Sequence, residues 1–163
     1  MYQACADGYL DKVQLLFREG DREQLQGGFF AACAFGHLHV AKWLHNVDCP
    51  QSLQHGFDVA CAYGQLHVAK WIHEICDNDN LFIDHAFTRA CRCGDTEVAQ
   101  WILSIVADRS PAICDRICSR GYHQTIAARE LDTAEWLYDT VRGRVVLAGD
   151  IVDSRWLRVV YWL

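Results

Sequence analysis

The chain has 163 residues, 52% of them hydrophobic and 22% charged, with a formal net charge of −6. That composition excludes a disordered chain. With that charge and no Lys/Arg block, nothing suggests a phosphate-backbone binder, so nucleic acid is not an expected partner.

No apolar run approaches the ~20 residues of a membrane span, so no membrane partner is expected either. The opening MYQACADGYLDKVQ carries no signal-peptide pattern. Nine cysteines is a high and odd number. Reduced thiols in a cytoplasmic setting are the favoured reading, because most of these cysteines hold a place in the pattern described next.

Taken in chain order, the elements repeat. The first, ACADGYLDKVQLLF (4–17), is a weak copy with Cys5, Gly8 and Leu15. The second, FFAACAFGHLHVAKWLHNV (29–47), shows the pattern in full: Phe29, then Ala32-Cys33, then Gly36, then Trp43. The third, FDVACAYGQLHVAKWIHEI (57–75), repeats it with Phe57, Ala60-Cys61, Gly64 and Trp71. The fourth, FTRACRCGDTEVAQWILSI (87–105), has Phe87, Ala90-Cys91, Gly94 and Trp101.

In the fifth, YHQTIAARELDTAEWLY (122–138), Tyr122 and Trp136 keep their slots but Arg129 replaces the glycine. The last, AGDIVDSRWL (148–157), keeps Gly149 and Trp156. These turn positions lie 28, 28, 30, 35 and 20 residues apart, and the last interval is too short for a complete unit.

Each unit reads as two short helices. The first ends near the glycine, which suits the left-handed residue that follows a helix. The second starts just after it. Val40, Trp43, Leu44 and Val47 fall on one apolar face, as do Val68, Trp71, Ile72 and Ile75, and Val98, Trp101, Ile102 and Ile105. A pair this short cannot bury its apolar face alone, so neighbouring units are expected to stack into one core. Small Ala and Cys positions let first helices approach closely. The expectation is one all-α domain over 1–163, with units at about 1–26, 27–54, 55–84, 85–119 and 120–142 and a degenerate cap at 143–163.

HGFDVACAYGQLHVAKWI (55–72) resembles the ankyrin repeat, with the A-[AC]-x-x-G-x-L-x-V-A core matched at several slots at once. The resemblance covers roughly residues 1–140 and implies an ankyrin-like α-solenoid of about five helix-turn-helix units. GGFF, HGFD and HAFT stand where the family has T-P-L-H, and the 28–30-residue spacing falls short of the family's usual 33. Shortened or irregular fingers between units are therefore expected. The tryptophan-bearing second helices resemble the arrays of giant amoeba-infecting viruses and oomycetes; in the viral case the setting would be the host cytoplasm.

The histidines invite a metal reading, but their spacing follows the repeat. His39 and His67 share one slot, His45 and His73 a second, His55 and His85 a third. Zinc needs four converging ligands, usually in tight pairs. Cys91 with Cys93, and Cys114 with Cys118, lack the usual spacing, so no metal or other cofactor is expected. No nucleophile elbow, metalloprotease helix, phosphate loop or dinucleotide fingerprint occurs. Cys93 is the one candidate for an exposed reactive thiol, with no base marked beside it. Five tryptophans share one helical slot and are expected in the core.

The resemblance implies a non-catalytic scaffold that binds another protein on a concave face of first helices and fingers. The two residues before the turn are the most informative there: Ala6-Asp7, Ala34-Phe35, Ala62-Tyr63, Arg92-Cys93 and Ala127-Ala128. Phe35 and Tyr63 form an aromatic stripe, with Asp7 and Arg92 on either side, and Asp79 sits in an acidic finger suited to a basic partner. Two alternatives stand beside this reading: a structural component that assembles into an oligomer or particle, and a Cys-dependent enzyme or redox protein.

Overall fold

The structure, a computed structural model, describes residues 1–17, 22–48, 53–76, 83–107 and 111–148. Among these residues there are helices and the short turns that join them, and no strand. In chain order they are α1 (Tyr2–Ala6), α2 (Leu10–Leu16), α3 (Arg22–Ala34), α4 (Leu38–Asp48), α5 (Leu53–Ala62), α6 (Leu66–Ile75), α7 (Ile83–Cys93), α8 (Thr96–Ala107), α9 (Pro111–Ala128) and α10 (Leu131–Ala148). They alternate between the first and second helices of the repeat.

The turn inside each pair is made the same way five times. Gly8, Gly36, Gly64 and Gly94 have φ of 76°, 78°, 68° and 81°. Arg129 stands in the same slot with φ 64°, the one non-glycine residue in this region among those described. The residue after each of them returns its N–H to a carbonyl five positions back: Tyr9 to Ala4, His37 to Ala32, Gln65 to Ala60, Asp95 to Ala90 and Glu130 to Thr125, all at 2.9–3.0 Å. This six-residue closure satisfies carbonyls that the helix end would leave open. The slot is therefore defined by backbone geometry, and the fifth unit keeps it without glycine.

The first helices form a row. α1 contacts α3, α3 contacts α5, α5 contacts α7 and α7 contacts α9, while each second helix packs on its own first helix. The centre of the core is Phe29, Phe57 and Phe87 from the first helices with Leu44, Ile72, Ile102 and Leu137 from the second, all fully buried. What lets the row close up is a small residue directly before each aromatic slot. A Cβ on Gly28 would lie 2.8 Å from Cys5 Sγ, on Gly56 2.5 Å from Phe29 Cε1, and on Gly121 2.6 Å from Phe87 Cε1. Each of these glycines thus receives the aromatic ring or thiol of the unit before it. Buried Ala86 takes the same place in the fourth unit.

Two points differ in detail from the pattern of the motif. The first helices start ahead of the motif that marks each unit. α3, α5 and α7 start at Arg22, Leu53 and Ile83, ahead of boundaries at 27, 55 and 85. α9 starts at Pro111, well before 120, and α10 runs through 142 to Ala148. The motif marks the packed centre of a helix, whereas its first turns carry no repeated signal. Residues 149–163 of the expected cap, with Gly149 and Trp156, lie outside the described residues.

The tryptophans are the second case. Trp43, Trp71, Trp101 and Trp136 pack against the core but are only half-buried. The slot one residue further along, held by Leu44, Ile72, Ile102 and Leu137, fills the centre instead.

Candidate functional site

Each left-handed turn brings the last residues of a first helix to one edge of the row. Phe35 and Tyr63, one position before Gly36 and Gly64, are 54% and 59% exposed. Both donate their backbone N–H to the carbonyl four residues back, Phe35 to Ala31 at 3.0 Å and Tyr63 to Val59 at 3.1 Å. Helical hydrogen bonding therefore fixes their backbone while their rings face solvent. Asp7 and Cys93 hold the same slot in the first and fourth units and are exposed, as is Arg92.

The edge thus runs from an acid through two aromatics to a base, over four consecutive units. Between these side chains lie small residues: half-buried Ala6 and Ala34, and buried Ala62. A partner surface can approach the backbone there. The fifth expected site residue, Asp79, lies outside the described residues.

Nearer the starts of the first helices, polar side chains pair. Asp58, four residues before Ala62, is buried, and its carboxylate accepts from Gln54 Nε2 at 3.3 Å and from His85 Nδ1 at 3.1 Å. A carboxylate only accepts here, so His85 carries its proton on Nδ1. Asp84 binds Arg116 at 2.8 Å across the next pair of first helices. Sequence reasoning missed these groups. The available signal was the third histidine slot, whose side chain meets the unit before it in both copies: His55 packs edge-on against Phe30 with ring centroids 4.3 Å apart, as His85 meets Asp58.

The other histidine slots also connect units. His39 Nε2 donates to the Gly8 carbonyl at 2.9 Å and His67 Nε2 to the Gly36 carbonyl at 2.8 Å, while His37 Nε2 donates to the Ala6 carbonyl at 2.8 Å. His45 and His73 sit edge-to-face against Trp71 and Trp101, with centroids 5.8 and 5.6 Å apart. These rings cross-link consecutive units rather than simply decorating a helix surface. Among the described residues, no three His, Cys, Asp or Glu side chains converge as a metal site.

The thiols of the repeat slot are buried: burial pushes Cys5 up to about 11 and raises Cys61 and Cys91 further above the usual thiol range. For Cys61, the neighbouring Asp58 and Asp95 add to that rise. Protonated, enclosed thiols are poor nucleophiles, whereas Cys93 is exposed.

No family model, curated protein or solved structure matches the chain.

Proposed function

We propose that the chain is an ankyrin-like α-solenoid of five helix-turn-helix units. In this reading it is a non-catalytic module that recognises another protein along the turn edge, the concave face that the ankyrin resemblance implies. One observation carries the reading: Phe35 and Tyr63 occupy the same slot of adjacent units and are both more than half exposed. Neighbouring large aromatics at the centre of a surface, flanked by small residues, are what protein-binding hot spots are made of.

Asp7 at one end and Arg92 at the other give the edge a polarity. The matching partner segment is apolar in the middle, basic toward the first unit and acidic toward the fourth. Asp79, in the sequence segment before the fourth unit, is the acidic residue that steers a basic partner in this reading.

The test compares the wild-type chain with the Phe35→Ala/Tyr63→Ala double variant as baits in the source cell. A partner that binds the wild type is expected to lose about 2 kcal/mol or more for each ring removed if both are hot spots. The melting temperature should stay close to that of the wild type, as at other surface positions. Unchanged affinity for a verified partner moves recognition away from this edge. Asp79→Ala is expected to change the association rate and its salt dependence more than the final affinity.

A further inference from the structure

The first helices change in charge along the row. On α3, Gly27, Ala31 and Ala34 fall at i, i+4 and i+7, one face of the helix. The same slots hold His55, Val59 and Ala62 on α5, and His85, Arg89 and Arg92 on α7. On α9, Arg116, Arg120 and His123 repeat that spacing, with Arg120 in the slot of His85. The face therefore passes from small and neutral to basic along the row.

The second helices of the same units have the opposite sign. The charged side chains described on α8 and α10 are Glu97, Asp132, Glu135 and Asp139, all exposed. α7 and α9 together hold four arginines, Arg89, Arg92, Arg116 and Arg120, against two aspartates, Asp84 and Asp115. In a chain of net charge −6 that basic face is a local exception.

Contacts place these cations at the seams between consecutive first helices. His85 reaches back from α7 to Asp58 on α5 at 3.1 Å, and Arg116 reaches back from α9 to Asp84 on α7 at 2.8 Å. In each seam a carboxylate is thus already engaged. Arg92 and Arg120 are exposed, and Arg89 is half-buried with its Nε meeting no acceptor. Among the described residues no carboxylate pairs with any of these three arginines.

We infer that the seams α5/α7 and α7/α9 take an acidic protein segment, whose carboxylates pair with Arg92 and Arg120, with Arg89 between the two seams as a further cation. The inference rests on the proposed use of the first helices for recognition and names the chemistry recognised there. A guanidinium fork matches a carboxylate in shape as well as charge. Two helical turns and one helix spacing separate the Arg92 and Arg120 slots, on the order of 14 Å. An extended peptide covers that span in about four residues. Carboxylates spaced along a peptide can meet the arginines alone. A duplex carries a charge about every 1.7 Å, and its continuous track would also meet Asp58, Asp84 and Asp115.

The test is fluorescence anisotropy of the full chain with a labelled peptide of about twelve residues, alternating glutamate and serine, at low salt. Binding in the range of about 10–100 µM is expected. Arg92→Gln/Arg120→Gln should weaken it about tenfold or more, with an unchanged melting temperature, because both side chains are exposed. Lys42→Gln/Lys70→Gln removes the same charge from the second helices and should leave affinity within about twofold. If the double arginine variant melts early, Arg92→Gln and Arg120→Gln are measured singly, each with an expected loss of about threefold. The peptide has no apolar side chain, so Phe35→Ala/Tyr63→Ala should bind it like the wild type. Failure of the aromatic edge and failure of the arginine seams therefore give different results.

Absence of binding at about 1 mM chain, far above the expected range, overturns the inference. So does equal loss in the arginine and lysine variants, which would reduce the effect to net charge. A glutamine-for-glutamate peptide that binds as well as the acidic one overturns it too. An oligothymidylate of the same length that binds more tightly, through the same arginines, would assign the seams to nucleic acid instead and overturn the choice of an acidic protein segment.

Discussion

The first helix pair and the third are built on the same pattern and live in different surroundings. Leu16 and Ile72 hold one slot, yet Leu16 is half in water and Ile72 is fully enclosed. Leu15 and Trp71 share a second slot; the leucine is almost wholly exposed, while the indole rests on His45 of the unit before. Gly8 and Gly64 make the same left-handed turn. The difference teaches that in a stacked repeat the turn belongs to the unit, but burial belongs to its neighbours. A side chain of given chemistry contributes to stability only where a second unit removes it from water.

The widest separation should come from the core slot itself. Ile72→Ala should cost about 2–5 kcal/mol, the range for deleting a buried aliphatic side chain. Leu16→Ala in the same slot should cost less than about 1 kcal/mol, as for an exposed position. Urea unfolding of both variants at a concentration where the chain is monomeric measures the gap. Equal losses would mean that the first pair is as well covered as the third, and the comparison would fail.

The tryptophan slot should show a smaller gap. Trp71→Ala is expected to cost about 2 kcal/mol, because the indole is half-buried and loses both apolar contact and its edge-to-face partner. Leu15→Ala should stay within about 0.5 kcal/mol under the same conditions.

The turns should respond in opposite directions at the two kinds of residue that hold them. Gly64→Ala places a side chain at φ 68°, with its Cβ 2.6 Å from Asp95 Oδ1, and should cost about 1–2 kcal/mol. Arg129→Gly relieves the one non-glycine left-handed turn among the described residues. It should add somewhat less than about 1 kcal/mol, because glycine also gives the unfolded chain more freedom. Thermal melts of the two single variants check both signs. Destabilisation by Arg129→Gly would show that the arginine side chain contributes more than its backbone costs.

The smallest effect concerns charge along the turn edge. Asp95 is pushed above the usual carboxylate range, first by partial burial and then by the neighbouring Glu130. The folded state therefore holds that proton more tightly than the unfolded chain. Its contribution to stability is full below the ordinary Asp pKa and is lost as pH rises through the raised value. Asp95→Asn keeps a residue type suited to a helix start and removes the repulsion. At neutral pH it should stabilise by up to about 0.5 kcal/mol after solvent screening, and the gain should vanish in acid. Melting curves at several pH values would expose a contrary slope.

Much of the fold was legible because its signals are local. A glycine after an Ala-Cys segment, followed by an apolar face of helical period, specifies a helix, a left-handed stop and a second helix from a few adjacent residues. Phe35 and Tyr63 were legible as exposed for the same reason: their place one step before the turn follows from helix periodicity. Tryptophan burial was not legible, because periodicity gives a direction and no measure of the space available in that direction. Nor was the role of the histidines. Repetition explained why they recur, but their carbonyl and indole partners lie 26–31 residues away in the chain.

The sequence by itself determined the helical pairs, their register and the five turn slots, including the one held by Arg129. Backbone dihedrals and short-range hydrogen bonds decide these, and each is settled within about six residues, the span of the helix-ending closure. Only the tertiary structure decided which equal slots are unequal. It buried Ile72 and left Leu16 in water, and it set His85 on Asp58 and small residues under the preceding aromatic rings. Burial is a property of what lies on the other side of a side chain, and among the described residues that neighbour stands before every helix pair but the first.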